Sequence, residues 1–112
     1  MKDTYLKDYN EIIETAQKYL DSCLKGKSEI MKSAFHKNAT INGEPIQTLF
    51  DGVDKAGKSN VEGRIDVLDV SNNIAVIRIT MEDYLGENFV DYHLLLKDKD
   101  GWKIVAKVFT GF

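Results

Sequence analysis

The chain has 112 residues, of which 43% are hydrophobic and 29% are charged, and its formal net charge is −3. This length predicts one domain, residues 1–112, with a hydrophobic core, and the composition excludes a disordered chain. The acidic balance excludes the basic face typical of nucleic-acid-binding proteins. A single cysteine excludes an intramolecular disulfide and a structural zinc cage.

The same residues predict a protein of the reducing cytoplasm that needs no cofactor. The N-terminal segment has neither the apolar core nor the cleavage pattern of a secretory signal, and no apolar run is long enough to span a membrane. Cys23, His36 and His93 are too widely and irregularly spaced for a metal motif. No glycine-rich loop is present to bind a nucleotide phosphate, so we expect neither a metal nor a nucleotide cofactor.

The first predicted element is an amphipathic helix over about residues 4–25. Asp3 or Thr4 can cap its start, and Gly26 is a typical helix end. Apolar residues recur at steps of three and four, which places them on one face; they are Tyr5, Leu6, Tyr9, Ile12, Ile13, Ala16, Tyr19, Leu20, Cys23 and Leu24. A second, short helix capped by Ser28 is predicted over about 28–35.

A β-hairpin is predicted next. Asn42-Gly43 suits a two-residue turn because both residues tolerate positive φ, and it joins strands over about 38–42 and 44–47. Apolar residues at helical spacing then predict a third helix over about 48–56, between a cap at Thr48 and a stop at Gly57.

Four long strands complete the chain, and turn-like segments separate them. They are predicted over about 61–70, 74–84, 89–97 and 102–110. The order of elements predicts an α+β fold whose N-terminal helices pack on the concave face of a curved, mostly antiparallel sheet.

Both faces of the late strands are apolar, which predicts a homodimer. One face of the strand at 89–97 carries Asp91 and His93, and the other has no charged residue. A domain of this size cannot cover both faces, so a second copy is the natural cover. The residues predicted at the dimer interface are Tyr92, Leu94, Leu96, Val105 and Phe109.

Several short strings resemble the NTF2-like superfamily, whose members share a cone-shaped α+β, cystatin-like fold. They are Gln17-Lys18-Tyr19-Leu20, Phe35-His36-Lys37-Asn38-Ala39-Thr40-Ile41, Val90-Asp91-Tyr92-His93-Leu94 and Asp98-Lys99-Asp100-Gly101-Trp102-Lys103-Ile104-Val105. The superfamily includes nuclear transport factor 2, ketosteroid isomerase, scytalone dehydratase and the SnoaL-like cyclases. The last string is most similar to its lumazine-binding branch.

This resemblance implies a pocket between the first helix and the concave face of the sheet. The residues expected to line it are Tyr19, Phe89, Leu95, Trp102, Ile104, Ala106 and Val108. Tyr19 lies where the isomerase has its hydrogen-bonding tyrosine, and Asp91 lies where that enzyme holds a protonated carboxylic acid in apolar surroundings. The isomerase's catalytic base aligns with Gly43, and an insertion of one residue brings Glu44 to that position instead.

Asp91 and His93 lie on the same strand face, with Cβ atoms roughly 6–7 Å apart. A carboxylate can orient an imidazole as a general acid or base, and the alternative is a purely structural polar pair.

Two functions of the protein stay open. One is a pocket for a small apolar or aromatic ligand, with possible acid/base chemistry such as dehydration, isomerisation or cyclisation. The other is a dimeric protein-interaction module with a vestigial pocket.

Overall fold

The structure is a computed structural model that describes residues 5–112, so the predicted helix start at residue 4 and its candidate caps Asp3 and Thr4 lie outside the described residues. Helix α1 spans Tyr5–Lys25. Its buried stripe faces the sheet and contains Ile12, Ala16, Tyr19, Leu20 and Cys23. The helix ends at Gly26, whose φ of 69° and whose N–H bond to the Ser22 carbonyl (2.8 Å) are typical of a glycine helix end.

The segment after α1 differs from its prediction. Instead of a helix over 28–35, two 3₁₀ turns cover Ser28–Ile30 and Lys32–Ala34. A contact from a distant part of the sequence explains the difference. The Asp54 carboxylate accepts hydrogen bonds from the Ser28 N–H (2.8 Å) and hydroxyl (2.7 Å). Ser28 is thereby attached to another helix and does not cap its own.

The hairpin turn has the predicted conformation, with φ of 46° at Asn42 and 83° at Gly43. It joins strands β1 (Phe35–Ile41) and β2 (Glu44–Pro45). β1 begins earlier than predicted, and β2 is shorter because Ile46 is already helical. The Ile46 carbonyl accepts the first N–H groups of helix α2, which spans Gln47–Ala56, so Thr48 is not its cap.

The sheet has six strands in the order β2-β1-β6-β5-β4-β3. The later strands are β3 (Glu62–Ser71), β4 (Ile74–Tyr84), β5 (Glu87–Asp98) and β6 (Gly101–Gly111). Every neighbouring pair is antiparallel except β1 and β6, which run parallel. The helices lie on the inner face, so the predicted α+β class is confirmed. Among residues 5–112, no helix has the length and apolar character needed to cross a membrane.

A β-bulge at Val105 reverses the alternation of β6. Leu94 pairs with Ala106 whereas Leu95 pairs with Ile104, so β6 has one extra residue between them. Ile104 therefore faces inward and Ala106 faces outward, although both have even numbers.

Three predictions fail because of this bulge. Ala106 and Val108 were expected at the pocket, but they lie on the outer face, where Val108 is 56% exposed. Phe109 was expected at the dimer interface, but it faces inward and its ring packs against Phe89 with centroids 5.7 Å apart.

Asp8 attaches the first half of α1 to the far end of the sheet. Its Oδ1 accepts the indole N–H of Trp102 (3.1 Å) and the ammonium of Lys97 (3.0 Å). Near the other end of the helix, a Cβ at Gly63 on β3 would lie 2.5 Å from a Leu20 methyl carbon. The helix is thus held closely against the sheet along its length.

Gly26 is predicted to be the glycine least tolerant of substitution. A Cβ there would overlap the Gly57 backbone, and the residue also has positive φ. We expect Gly26→Ala to lower the free energy of unfolding by more than about 3 kcal/mol. Gly86→Ala is the control, because Gly86 has φ of 85° with no atom within 4 Å of its Cβ position. It should cost about 1–2 kcal/mol. Equal losses in urea denaturation would contradict the proposed overlap.

Candidate functional site

A cavity of about 160 Å³ lies between the two helices and the inner face of the sheet. Its walls are mostly apolar and come from β1, α2, β4, β5 and β6; these residues are Ile41, Leu49, Val53, Met81, Phe89 and Phe109. Its polar lining residues are Tyr19, Cys23, Tyr84, Asp91 and Lys107. A mostly apolar cavity with a few polar groups is the usual composition of a small-molecule site.

Asp91 is the centre of a buried polar cluster. Its Oδ2 lies 3.3 Å from Nε2 of His93 and 3.7 Å from Nζ of Lys107. Both distances exceed the roughly 2.7–2.9 Å of a charge-assisted hydrogen bond. The second carboxylate oxygen, Oδ1, and Nδ1 of His93 are buried without a hydrogen-bond partner. Since most buried polar atoms are paired, Oδ1 of Asp91, a residue that lines the cavity, is a position where a ligand can supply the partner.

Aromatic rings surround the cluster. The Tyr19 ring packs edge-on against His93, with centroids 5.1 Å apart. The Lys107 ammonium lies 4.0 Å from the centroid of the Phe109 ring and 5.5 Å from that of Tyr19. These π faces stabilise the ammonium of a side chain that is almost completely buried.

Asn42 of the hairpin turn holds this part of β6 in place. Its backbone N–H donates to the Lys107 carbonyl (2.9 Å). Its side-chain oxygen accepts the Phe109 N–H (2.9 Å), and its amide nitrogen donates to the Phe109 carbonyl (3.3 Å). The turn predicted from Asn42-Gly43 therefore also positions the strand that carries Lys107.

Burial controls the protonation of the bases in the cluster. It lowers the pKa of Lys107, while the charge of Asp91 acts in the opposite direction. Burial likewise lowers the pKa of His93, against the hydrogen bond and charge of Asp91. The imidazole is therefore neutral at neutral pH. If Nε2 donates to Asp91, Nδ1 carries the free lone pair.

Burial has the opposite effect on the acids of the cavity. It raises the pKa of Tyr19 well above its usual value, with further contributions from Cys23 and Asp91. It raises the pKa of Cys23 to about 12. Tyr19 is therefore a hydrogen-bond donor at neutral pH, and Cys23 is a thiol with little nucleophilic character.

The structure brings together three of the four predicted catalytic residues. Tyr19 and Asp91 line the cavity, and His93 lies behind Asp91, packed against Tyr19. Glu44 is exposed at the sheet edge on β2 and does not line the cavity. The resemblance implied apolar surroundings for Asp91, but the structure places the Lys107 ammonium beside it.

The predicted pocket-lining residues divide into three groups. Phe89 and Tyr19 line the cavity. Leu95, Trp102 and Ile104 are buried in the core toward the other end of the strands. Ala106 and Val108 lie on the outer face, as described above. The alternation of β5 predicted its inner face correctly, and only β6 contains the bulge that changes faces.

Lys107 was not among the predicted site residues, although it is only 3% exposed. Strict alternation from Trp102 places it on the face opposite Ile104. The one available signal in the sequence was Phe109, a large apolar residue that strict alternation places on the same face as Lys103 and Lys107. Among residues 5–112, no group of three or more His, Cys, Asp or Glu side chains is arranged to hold a metal ion.

Similar solved structures share this fold over nearly the whole chain. An NTF2-like protein of unknown function from Shewanella baltica OS155 is 32% identical, with a TM-score of 0.90 over 99% of this chain and 98% of that chain. A second NTF2-like protein of unknown function, from Methylobacillus flagellatus KT, is 33% identical with a TM-score of 0.90, covering 98% and 96% of the two chains.

The chain is also similar in sequence to a characterised relative and to a protein family. The aldolase FrzH of a Cladobotryum species is 26% identical over 115 residues, which is 94% of this chain and 92% of that protein. A family model described as "Putative lumazine-binding" matches residues 7–110. The fold is that of the NTF2-like superfamily, which confirms the resemblance seen in the sequence. Within it, the chain belongs to the family with that lumazine-binding description.

The His93 site predicts a pH-dependent stability. Because the folded-state pKa lies below the usual 6.5, the unfolded chain binds more protons just below pH 6.5. The free energy of unfolding should therefore fall as the pH drops from 6.5 toward the folded-state pKa. His93→Gln should flatten this slope in urea titrations at successive pH values. His36→Gln, at a histidine outside the cluster, should keep it. An unchanged slope in His93→Gln would contradict the assignment.

Proposed function

We propose that the protein binds a small, mostly apolar carbonyl compound in the inner cavity and transfers protons on it without a cofactor. The observation that carries the proposal is the buried, unpartnered Oδ1 of Asp91, a residue that lines a partly enclosed and mostly apolar cavity. An oxygen in this position can accept a proton from a ligand carbon or a hydrogen bond from a ligand hydroxyl.

The size of the cavity limits the ligand. An apolar cavity of about 150 Å³ admits a molecule the size of benzene, and this cavity measures about 160 Å³. A ligand with one ring, or an aliphatic chain of similar volume, fits without displacing the walls. The lumazine-binding description of the family also supports a small-molecule ligand.

The polar residues fit chemistry next to a carbonyl group. Removal of a proton from the α-carbon places negative charge on the carbonyl oxygen. The Lys107 ammonium and the Tyr19 hydroxyl can stabilise that charge, while Asp91 accepts the proton. The aldolase name of the Cladobotryum relative supports this class of reaction, since aldol chemistry proceeds through an enolate or its equivalent.

Proton exchange on a simple ketone tests the proposal. In D₂O, the protein should accelerate deuterium incorporation at the α-carbon of cyclopentanone, followed by NMR. Asp91→Asn should reduce this acceleration by about 10²-fold or more, because the base is lost. Asp69→Asn, an exposed carboxylate on β3, is the control and should retain it. Equal rates in Asp91→Asn and wild type would remove Asp91 from the mechanism.

A cavity-filling pair shows whether the ketone reacts in this cavity. Leu49 lines the cavity from α2, and its neighbour Thr48 is exposed. Leu49→Trp should abolish the acceleration, whereas Thr48→Trp should leave it intact. If the wild type neither binds nor exchanges cyclopentanone, the alternative of an interaction module with a vestigial pocket is favoured.

We also propose that the outer sheet face pairs with a second copy of the chain. Tyr92 and Leu94 are about half exposed there, beside a concavity of about 340 Å³ whose lining includes Ile74, Leu96 and Val105. Contiguous apolar surface of this kind is typical of an interface. Four of the five residues predicted for the dimer lie on this face.

The dimer proposal has a matched pair of variants. Leu94 and Leu85 are both 53% exposed, but Leu85 lies in the β4–β5 turn, away from the outer face. Leu94→Glu should convert a dimer to a monomer in sedimentation velocity at micromolar concentration, because it buries an unpaired charge. Leu85→Glu should remain dimeric. A monomeric wild type would contradict the proposal.

A further inference from the structure

Lys107 is an unusual component for a cavity wall. Lysine is almost never fully buried unless it is paired, yet this side chain is 4% exposed and its nitrogen lies 3.7 Å from the nearest carboxylate oxygen, on Asp91. A structural ion pair in the interior needs short bonds that satisfy both partners, because desolvation of the two charges is costly. Here Oδ1 of Asp91 accepts no hydrogen bond within 3.5 Å.

We infer that Lys107 is a nucleophile that forms a covalent imine with the carbonyl compound bound in this cavity. This inference rests on the proposed function and goes further, since it assigns a residue and an intermediate. The substrate class is an aldehyde or ketone with a hydrogen on its α-carbon.

The position of the amine suits this role. Nζ of Lys107 is at the cavity wall, between the Phe109 ring (4.0 Å from its centroid) and the Tyr19 ring (5.5 Å). These rings restrict the amine to the apolar space where a carbonyl carbon would lie. Asp91 lines the same space, so a base adjoins the nucleophile.

Burial also favours the reactive form of the amine, whereas the Asp91 carboxylate and the ring faces favour the ammonium. Only an unprotonated lysine attacks a carbonyl carbon, and burial lowers the pKa of Lys107. Four titratable groups face it: Asp91 and His93 from β5, and Tyr19 and Cys23 from α1. Burial keeps His93, Tyr19 and Cys23 in their neutral forms at neutral pH, so Asp91 supplies the main charge opposing deprotonation.

The step balances without an external reagent. The Lys107 ammonium transfers one proton to Asp91, and the nitrogen lone pair then forms a bond to the carbonyl carbon as the C=O π electrons move to oxygen. That oxygen leaves as water with one proton from nitrogen and the one returned by Asp91. The iminium that remains keeps one proton on nitrogen and carries the original positive charge.

The iminium makes the next step easier. Asp91 removes a proton from the α-carbon, and the C–H electrons form the C=C bond of an enamine as the C=N π electrons return to nitrogen. The enamine carbon can then attack a second carbonyl carbon, and water releases the product by hydrolysis. The iminium nitrogen of Lys107 thus accepts the electron pair released from the α-carbon, a role that needs no separate cofactor.

Reductive trapping tests the inference directly. The wild-type protein is incubated with cyclopentanone and sodium cyanoborohydride at neutral pH, and peptide mass spectrometry locates any cyclopentyl group. We expect Lys107 to be modified at least about tenfold more than any exposed lysine, because the cavity holds the ketone beside its amine and so raises the effective concentration of the reactants. Modification spread over exposed lysines, or none at all, would overturn the inference.

Variants separate this outcome from failure of the proposed function. Lys107→Met should lose the adduct, whereas Lys37→Met, at an exposed lysine on β1, should keep it. If Lys107→Met does not fold, Leu49→Trp replaces it, since blocking the cavity should prevent modification of Lys107 in a chain that retains every lysine. Deuterium exchange without an adduct would overturn the imine and leave the proposed acid/base function standing. Absence of both would overturn the two together.

Discussion

The extra residue at Val105 determines which side chains face the interior of this protein. With regular pairing, β6 would present Ala106 and Val108 to the helices and Lys107 to solvent. The bulge instead turns Lys107 inward and turns Ala106 and Val108 outward. At the same place, the pairing of β6 with β1 is also irregular. β1 advances from Phe35 to Thr40 while β6 advances only from Ile104 to Ala106. The central strand of the cavity wall is thus irregular on both edges, beside the candidate site, as is common for β-bulges.

Burial of the Lys107 ammonium and the Asp91 carboxylate costs free energy, which supports a functional role for this pair. An ammonium and a carboxylate have been taken out of water, and their separation of 3.7 Å recovers only part of the lost hydration. Apolar side chains in place of both Lys107 and Asp91 would fill the same space without this desolvation cost. The Asn42 side chain nevertheless fixes the strand with two hydrogen bonds to Phe109, so the fold holds the buried charge in one position.

The sequence predicted what depends on regular periodicity. The stripe of α1, the Asn42-Gly43 turn and the inner face of β5 follow from local spacing. That spacing grouped Asp91 with His93, and the resemblance to the NTF2-like superfamily added Tyr19. The prediction from sequence failed where a contact between distant residues decides the structure. Ser28 bonds to Asp54, 26 positions away, so local cap signals mislead there. The bulge that places Lys107 inside depends on pairing with β5, and its one local signal in the sequence is Phe109, which strict alternation places on the same face as the lysines.

The two halves of α1 make different contacts with the sheet. Its second half carries Tyr19 and Cys23 to the cavity, whereas Asp8 in its first half accepts the indole N–H of Trp102. Trp102 is the only tryptophan in the chain. Its fluorescence is therefore an intrinsic reporter of whether the helix is docked on the sheet, and it reads this from a position remote from the ligand. Docking of the helix can consequently be followed by fluorescence in the unlabelled protein, independently of any measurement of ligand in the cavity.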